Sequence, residues 1–368
     1  MAQVDVRAER GTVHLMDKFG DEWRELCRGA ANDQPFYRPE WIGAFVRAFL
    51  PDAKILLLTA RIAGRLCLAL PLLDEHGTFS GVPLRKLRTP VDSYAGRFDA
   101  VYREGTDGQA AILAVWKFLR EFPGWDALQL RDAMDGSAIS RLAHMARYDG
   151  LRTIELGDRP SPIVPIPAQP EVRKLLPANT RLRRELRSVR RQLAEQGVSI
   201  GFHRFDSDDQ DALNRFYELE RKGWKGQEGC ATLSKGTRPF LDEVARSAAR
   251  GGYFTLYLLD FNGELVAGHY GFTLRDCYYS TVVTYNEASK QYSPGHLLID
   301  EIVSDCAARG VRAFQTLGQD QEWKMRWTTQ TQPVRHHYVF RGPLGDFAYY
   351  VEQKLRPQLR WLLRRRSG

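Results

Sequence analysis

The chain has 368 residues, 43% hydrophobic and 27% charged, the balance of a globular protein of about two domains. Its formal net charge of +8 is uneven, because residues 171–191 and residues 354–368 each carry +6 and the remainder stands at −4. No run approaches the ~20 apolar residues of a membrane span, the amino terminus lacks a signal-peptide core, and the five cysteines show neither CxxC spacing nor disulfide density. A cytoplasmic protein with buried thiols and no metal is therefore expected.

In chain order, periodicity predicts helices at 21–28 and 39–49, then strands at 54–62 and 66–73 joined at Ala63-Gly64. A helix at 107–121 and a strand at 127–131 complete the first half. The run RPSPIVPIPAQP (159–170) holds too many prolines for a helix and reads as an extended connection. A helix at 179–196 follows, with Leu182, Leu186, Val189 and Leu193 as one apolar stripe that should pack while the arginines face outward.

The second half repeats the outline. A strand at 198–205 precedes helices at 208–224 and 238–250, and strands at 253–259 and 265–274 flank Asn262-Gly263, a tight-hairpin dipeptide. Then come a strand at 278–285, a helix at 297–309 stopped by Gly310, a strand at 312–317 and a last strand at 334–341. This duplication implies an α/β (α+β) fold class with two mixed, mostly antiparallel sheets flanked by helices. The domains are placed at 1–158, 159–197 (linker and Arg-rich helix), 198–345 and 346–368. No phosphate-loop, GxGxxG, GxSxG or HExxH motif is present.

ELERKGWKGQEG (218–229), DFNGELVAGHYGF (260–272), TYNEASKQYSPGHLLIDEIV (284–303) and LGQDQEWKMRW (317–327) together resemble the CelD-type branch of the GNAT acyltransferases, distantly related to FemA-like peptidyl transferases. The resemblance covers roughly residues 175–340; the first half matches in outline only. It implies tandem GNAT folds and transfer of an acyl group, acetyl above all, from CoA to an amino sugar or other saccharide precursor in exopolysaccharide biosynthesis. Acetyl-CoA is then a co-substrate, and a saccharide or lipid-linked saccharide is the acceptor.

In such a fold the helix after the fourth strand aims its amino terminus at the pyrophosphate, where backbone N–H groups and the dipole stabilise an anion. Here that segment is Tyr292-Ser293-Pro294-Gly295-His296-Leu297, with Ser293 a candidate cap and Gly295 allowing close approach. It departs from the Q/RxxGxG/A motif of typical members. At the same place in the first half, Glu104-Gly105-Thr106-Asp107 would repel a phosphate, so only the second half is expected to be catalytic. The splayed end of the fourth strand, Val282, Val283 and Thr284, maps to the backbone donor that polarises the thioester carbonyl.

The general base is open. Glu220 is either that base or a surface carboxylate paired with Arg221 or Lys225. His269 is either a base or a satisfied core histidine. Tyr285 is either the acid for the leaving thiolate or packing. The resemblance places Asp320 and Lys324 in a substrate-contacting loop, where Trp323 replaces the family's tyrosine. Trp224, Lys225 and Trp327 are candidate acceptor contacts, the tryptophans either stacking on a sugar or lying in the core.

The tail 346–368 reads as a basic amphipathic helix for an anionic membrane surface, or as a docked helix with a frayed end. The arginines from Arg181 to Arg191 give two rival functions: a FemA-like aminoacyl-tRNA-dependent transferase acting on a peptidoglycan precursor, and a non-catalytic receptor for an anionic nucleotide. The bland alternative is a solvated helix face.

Overall fold

A computed structural model describes residues 3–91, 94–169, 179–222 and 237–356. The elements are β1 (Val4–Gly11), α1 (His14–Lys18), α2 (Gly20–Arg28), α3 (Pro39–Phe49), β2 (Ile55–Ile62), β3 (Arg65–Phe79), β4 (Val82–Arg88), β5 (Val101–Tyr102), α4 (Thr106–Glu121), β6 (Ala127–Met134), α5 (Ala138–Tyr148) and β7 (Arg152–Pro165). There follow α6 (Thr180–Glu195), β8 (Ile200–Phe205), α7 (Gln210–Lys222), α8 (Thr237–Arg250), β9 (Phe254–Phe261), β10 (Glu264–Leu274), β11 (Cys277–Tyr285), α9 (Pro294–Ala308), β12 (Ala313–Gln315), α10 (Glu322–Met325), β13 (Thr331–Phe340) and α11 (Gly342–Tyr350). The expected class holds: a mixed, mostly antiparallel α/β architecture with helices packed on sheet.

Two compact units divide the chain, one of residues 1–92, 96–158 and 333–368, the other of residues 93–95 and 159–332. In the first, strands run β1-β2-β3-β4-β6-β13; in the second, β8-β9-β10-β11-β12-β7. The duplication is visible in the register. β4 meets β6 in parallel over Lys86–Arg88 and Ala127–Gln129, and β11 meets β12 in parallel over Cys277–Tyr279 and Ala313–Gln315. Each parallel pair is bridged by a long helix, α4 or α9, the crossover that parallel strands require.

The boundaries depart from those expected, for a reason in the chain path. The Pro-rich run is no linker at its start: β7 continues to Pro165, and residues 163–165 pair antiparallel with β12 of the second unit. Prolines are tolerated there because an extended chain already supplies their fixed φ. β13, read into the second domain, pairs antiparallel with β6 and counts from Pro333 in the first unit. Each unit thus takes its sixth strand from the other half of the sequence.

The second unit buries two faces of its sheet. On one, α6 and α9 pack Leu182, Leu186, Val189, Leu193, Leu297 and Ile302 with Tyr257, Tyr278 and Phe314. Each such buried aliphatic side chain contributes ~1.5–3 kcal/mol. The predicted stripe of α6 is therefore its docking face, although Arg190 does not face solvent alone: it pairs with Asp300 and Glu301 of α9, both at 2.8 Å. On the other face, Phe216 of α7 lies where a Cβ on Gly268 would meet it at 2.6 Å, and Tyr270 donates to the Leu241 carbonyl of α8 at 2.7 Å.

The turns follow their residues. Asn262 and Gly263, with φ of 52° and 86°, close the β9–β10 hairpin, and Gly310 at φ 79° ends α9 as Val311 donates to the Cys306 carbonyl. Cys27, Cys67, Cys277 and Cys306 are buried and in no disulfide. Among the described residues no helix is long and apolar enough to cross a membrane. The tail helix is described only to Arg356; the rest of that expectation, with Pro357 and the final arginines, lies outside the described residues.

Candidate active site at the start of helix α9

The site is built where β11 leaves its neighbour. The β10–β11 register slips from Tyr270↔Val282 to Gly271↔Ser280, making Thr281 the extra residue of a bulge, and its Oγ1 donates to the Tyr270 carbonyl at 3.0 Å. β12 accompanies β11 only as far as Tyr279. β12 ends at Gln315, so the rest of β11, from Ser280 to Tyr285, has no strand partner on that side among the described residues. Asn286 N–H donates to the Val266 carbonyl, so the alternation of the strand turns the N–H groups of Val282 and Thr284 toward β10 and that of Val283 away from it.

The chain then passes through a short 3₁₀ turn and Ser293, in left-handed geometry (φ 47°, ψ 49°), into Pro294 at the first position of α9. His296 and Leu297 N–H both donate to the Ser293 carbonyl at 3.0 Å. Proline has no N–H, so Gly295 supplies the first-turn donor that lies outside the helix's own ladder. A Cβ on Gly295 would meet only Tyr285 Cδ1, at 3.9 Å. Packing does not demand the glycine; it leaves open space above the helix start.

The expected cap is not made: Ser293 occupies the N-cap position of α9, but its side chain accepts no hydrogen bond from the helix. Its Oγ donates instead to Glu185 of α6 at 2.8 Å, and the other oxygen of Glu185 accepts from Arg326 Nη2 at 2.5 Å. Partial burial raises the Glu185 carboxyl, but the bonds from Arg326 and Ser293 outweigh it and hold the group below its ordinary value. Next to this pair, Trp327 Nε1 donates to His296 Nδ1 at 3.0 Å. His296 Nε2 lies 3.3 Å from Arg326 Nη1, so donors face both ring nitrogens, and a neutral imidazole can accept from only one of them. Burial, then the charge of Arg326, pushes His296 down to about 4, against the pull of Glu185.

Sequence reasoning missed Glu185 and Arg326. The available signal was that Glu185 is the one acid among the arginines between Arg181 and Arg191. Tyr285, beside Gly295, belongs to the same neighbourhood; burial, then its bond with Glu287, raises its phenol. Tyr292 donates to Gln196 at 3.0 Å and packs edge-on to Phe261, steadying the approach to α9.

Other candidates lie elsewhere. His269 is 2% exposed, shares a contact of 3.1 Å with Ser280 Oγ and abuts Phe314, as a core histidine does. Glu220 is fully buried on α7, on the opposite face of the sheet, so the surface-carboxylate alternative falls. Lys324 is 6% exposed and its Nζ donates to the carbonyls of Leu317 (2.6 Å) and Gln319 (3.1 Å). It staples a loop in which Leu317 and Gly318 both have positive φ. Asp320 is exposed on that loop. Trp327 is 1% exposed with its N–H committed to His296, so it presents no face to a sugar. Trp224 and Lys225 lie outside the described residues.

A bulged strand whose parallel partner stops short, joined to that partner by a long crossover helix, is the layout of a GNAT acyltransferase fold. Residues 180–325 match the family model described as an acetyltransferase (GNAT) domain. No curated protein sequence matches the chain significantly. Among solved structures, the chain is similar to the C-terminal domain of a putative lysylphosphatidylglycerol synthetase from Agrobacterium fabrum, at 13% identity and TM-score 0.55, over 92% of this chain and 95% of that one. It is also similar to FemX, at 12% identity and TM-score 0.56 over 93% and 100% of the two chains. L-PGS from Bacillus licheniformis gives 13% identity and TM-score 0.51 over 86% and 96%. At these identities the likeness is one of fold. Among the described residues no cluster of three or more His, Cys, Asp or Glu is arranged to hold a metal.

Proposed function

We propose that the second unit is an acyl-CoA-dependent acyltransferase, with acetyl the favoured group, acting on an amine of a saccharide precursor in exopolysaccharide assembly. The observation that carries this reading is Glu185 at the start of α9. A helix start favours negative charge, and a carboxylate held there by Ser293 Oγ and Arg326 has the donor set that a phosphate would use. With Glu185 turned aside, Arg326, Ser293 Oγ and Gly295 N–H would hold the pyrophosphate of CoA, whose thioester supplies the activated acyl group. Tyr285 is the nearest candidate to return a proton to the departing thiolate, its raised phenol keeping that proton in place at neutral pH.

A second reading has one observation in its favour: Arg181, Arg184, Arg187 and Arg191 remain exposed on α6, the helix that carries Glu185. That row suits the phosphates of an aminoacyl-tRNA, with transfer to a peptidoglycan precursor. Nucleotide reception without catalysis would use the same row. Thermal-shift measurements with acetyl-CoA, aminoacyl-tRNA and nucleotide separate the three. Stabilisation by acetyl-CoA supports the first reading, and salt-sensitive stabilisation by aminoacyl-tRNA alone replaces it with the second. Membrane docking of the tail is part of the proposal, supported by Leu344, Phe347 and Tyr350, each about half exposed at helical spacing on α11.

A further inference from the structure

A pocket of about 310 Å³ opens in the first unit, between the end of α5, the start of β7, β13 and α11. It lies in a unit that the acyl-transfer reading leaves without a role. Its volume equals about ten waters at liquid density and sits at the lower end of the range for small-molecule sites. Four groups give it a chemistry: Arg147, Arg152, His144 and His337 all line it.

His337 is 3% exposed, yet its Nε2 is buried with no hydrogen-bond partner among the described residues. Such an orphan is uncommon. Its Nδ1 faces Glu155 at 3.5 Å, which favours the proton on that side and leaves Nε2 with a lone pair in need of a donor. Burial lowers its pKa against the pull of Glu155, consistent with a neutral ring. The His144 ring stands edge-on to it at 5.7 Å.

The charge in the pocket is unbalanced. Glu155 is engaged by Arg335 at 3.1 Å as well as by His337. Arg147 forms no ion pair among the described residues, and Arg152 lies over the Tyr349 ring at 5.6 Å with no carboxylate partner among them. Two guanidinium groups without counter-ions beside an imidazole that needs a donor suit one kind of ligand. We infer that this pocket binds a small phosphate ester that also carries a free hydroxyl. The guanidinium groups would pair with the phosphate in their forked geometry, and the hydroxyl would donate to His337 Nε2.

The test titrates glycerol 3-phosphate and inorganic phosphate into the full chain by calorimetry, and sediments the chain with phosphatidylglycerol or phosphatidylcholine vesicles. Glycerol 3-phosphate is expected to bind more tightly than phosphate, and Arg147→Ala or Arg152→Ala to weaken binding roughly tenfold or more. Both arginines are exposed, so these variants should melt with the wild type. His337→Asn is expected to abolish the preference for the hydroxylated ester while leaving phosphate binding in place. Selective sedimentation with phosphatidylglycerol, lost in the arginine variants, would identify a lipid headgroup as the source; binding of the soluble ester alone would identify a free metabolite. Absence of both, or binding that the arginine substitutions leave unchanged, overturns the inference.

Discussion

Ser293 Oγ donates to Glu185 at 2.8 Å, which brings a carboxylate from α6 to the first turn of α9, 108 residues further along the chain. The same carboxylate takes Arg326, and the three residues form a closed anion site occupied by the protein's own side chain.

Removing the cation from this site has a calculable cost. In Arg326→Ala, Glu185, two-thirds shielded from water in the wild type, keeps only Ser293. We expect a loss of roughly 1–3 kcal/mol of stability, read as a lower urea midpoint. A midpoint equal to the wild type would show that Glu185 relaxes into solvent at no cost.

His296 makes part of the stability depend on pH. Its folded pKa near 4 lies below the ordinary 6.5, so the unfolded chain binds the extra proton between those values. The contribution is complete above that window and is lost as pH falls through it, by roughly 3 kcal/mol in all. His296→Gln should flatten the fall in urea midpoint between about pH 7 and about pH 5; an unchanged slope would assign it to other groups.

Much of the fold could be read from short-range signals, and the site only in part. Asn262-Gly263, Gly310 and the stripe Leu182-Leu186-Val189-Leu193 each act within one turn or helix, and each appears where its residues require. β1 was not anticipated although Val4, Val6 and Ala8 alternate with Asp5, Arg7 and Glu9; its alternation is short and none of its residues is fully buried. β7 was hidden by its prolines, and the membership of β13 by a pairing with β6 roughly two hundred residues away in sequence. The segment at 292–297 was legible because a helix start has a local signature. Glu185 and Arg326 were not, since what joins them is a fold-level contact across 141 residues. Glu220, His269 and Lys324 were suspected for their chemistry, but the sequence does not show that each is buried.

Lys324 should behave as a structural staple. Lys324→Met leaves the carbonyls of Leu317 and Gln319 without their ammonium donor, and a loss of about 1–3 kcal/mol is expected. Limited proteolysis should then cut within residues 317–321. Full stability combined with lost activity would return Lys324 to a chemical role.

Two glycines should respond in opposite ways to alanine. At Gly271 a Cβ would sit 2.3 Å from the Tyr279 carbonyl oxygen, so Gly271→Ala should cost roughly 2 kcal/mol or more through forced movement at the bulge. At Gly295 the nearest atom is 3.9 Å away, so Gly295→Ala should stay within about 0.5 kcal/mol of wild type. It should still weaken ligand binding by filling the approach to the helix start. Paired thermal melts distinguish the two cases.

The central claim is that Glu185 stands in for the phosphate of the acyl donor. Calorimetric titration of acetyl-CoA into the wild type and Glu185→Gln, with folding verified by circular dichroism, addresses it most directly. Binding by the wild type, tightened roughly tenfold when the competing carboxylate charge is removed, is the predicted result. Binding that is absent from both proteins, or weakened by the substitution, would contradict it.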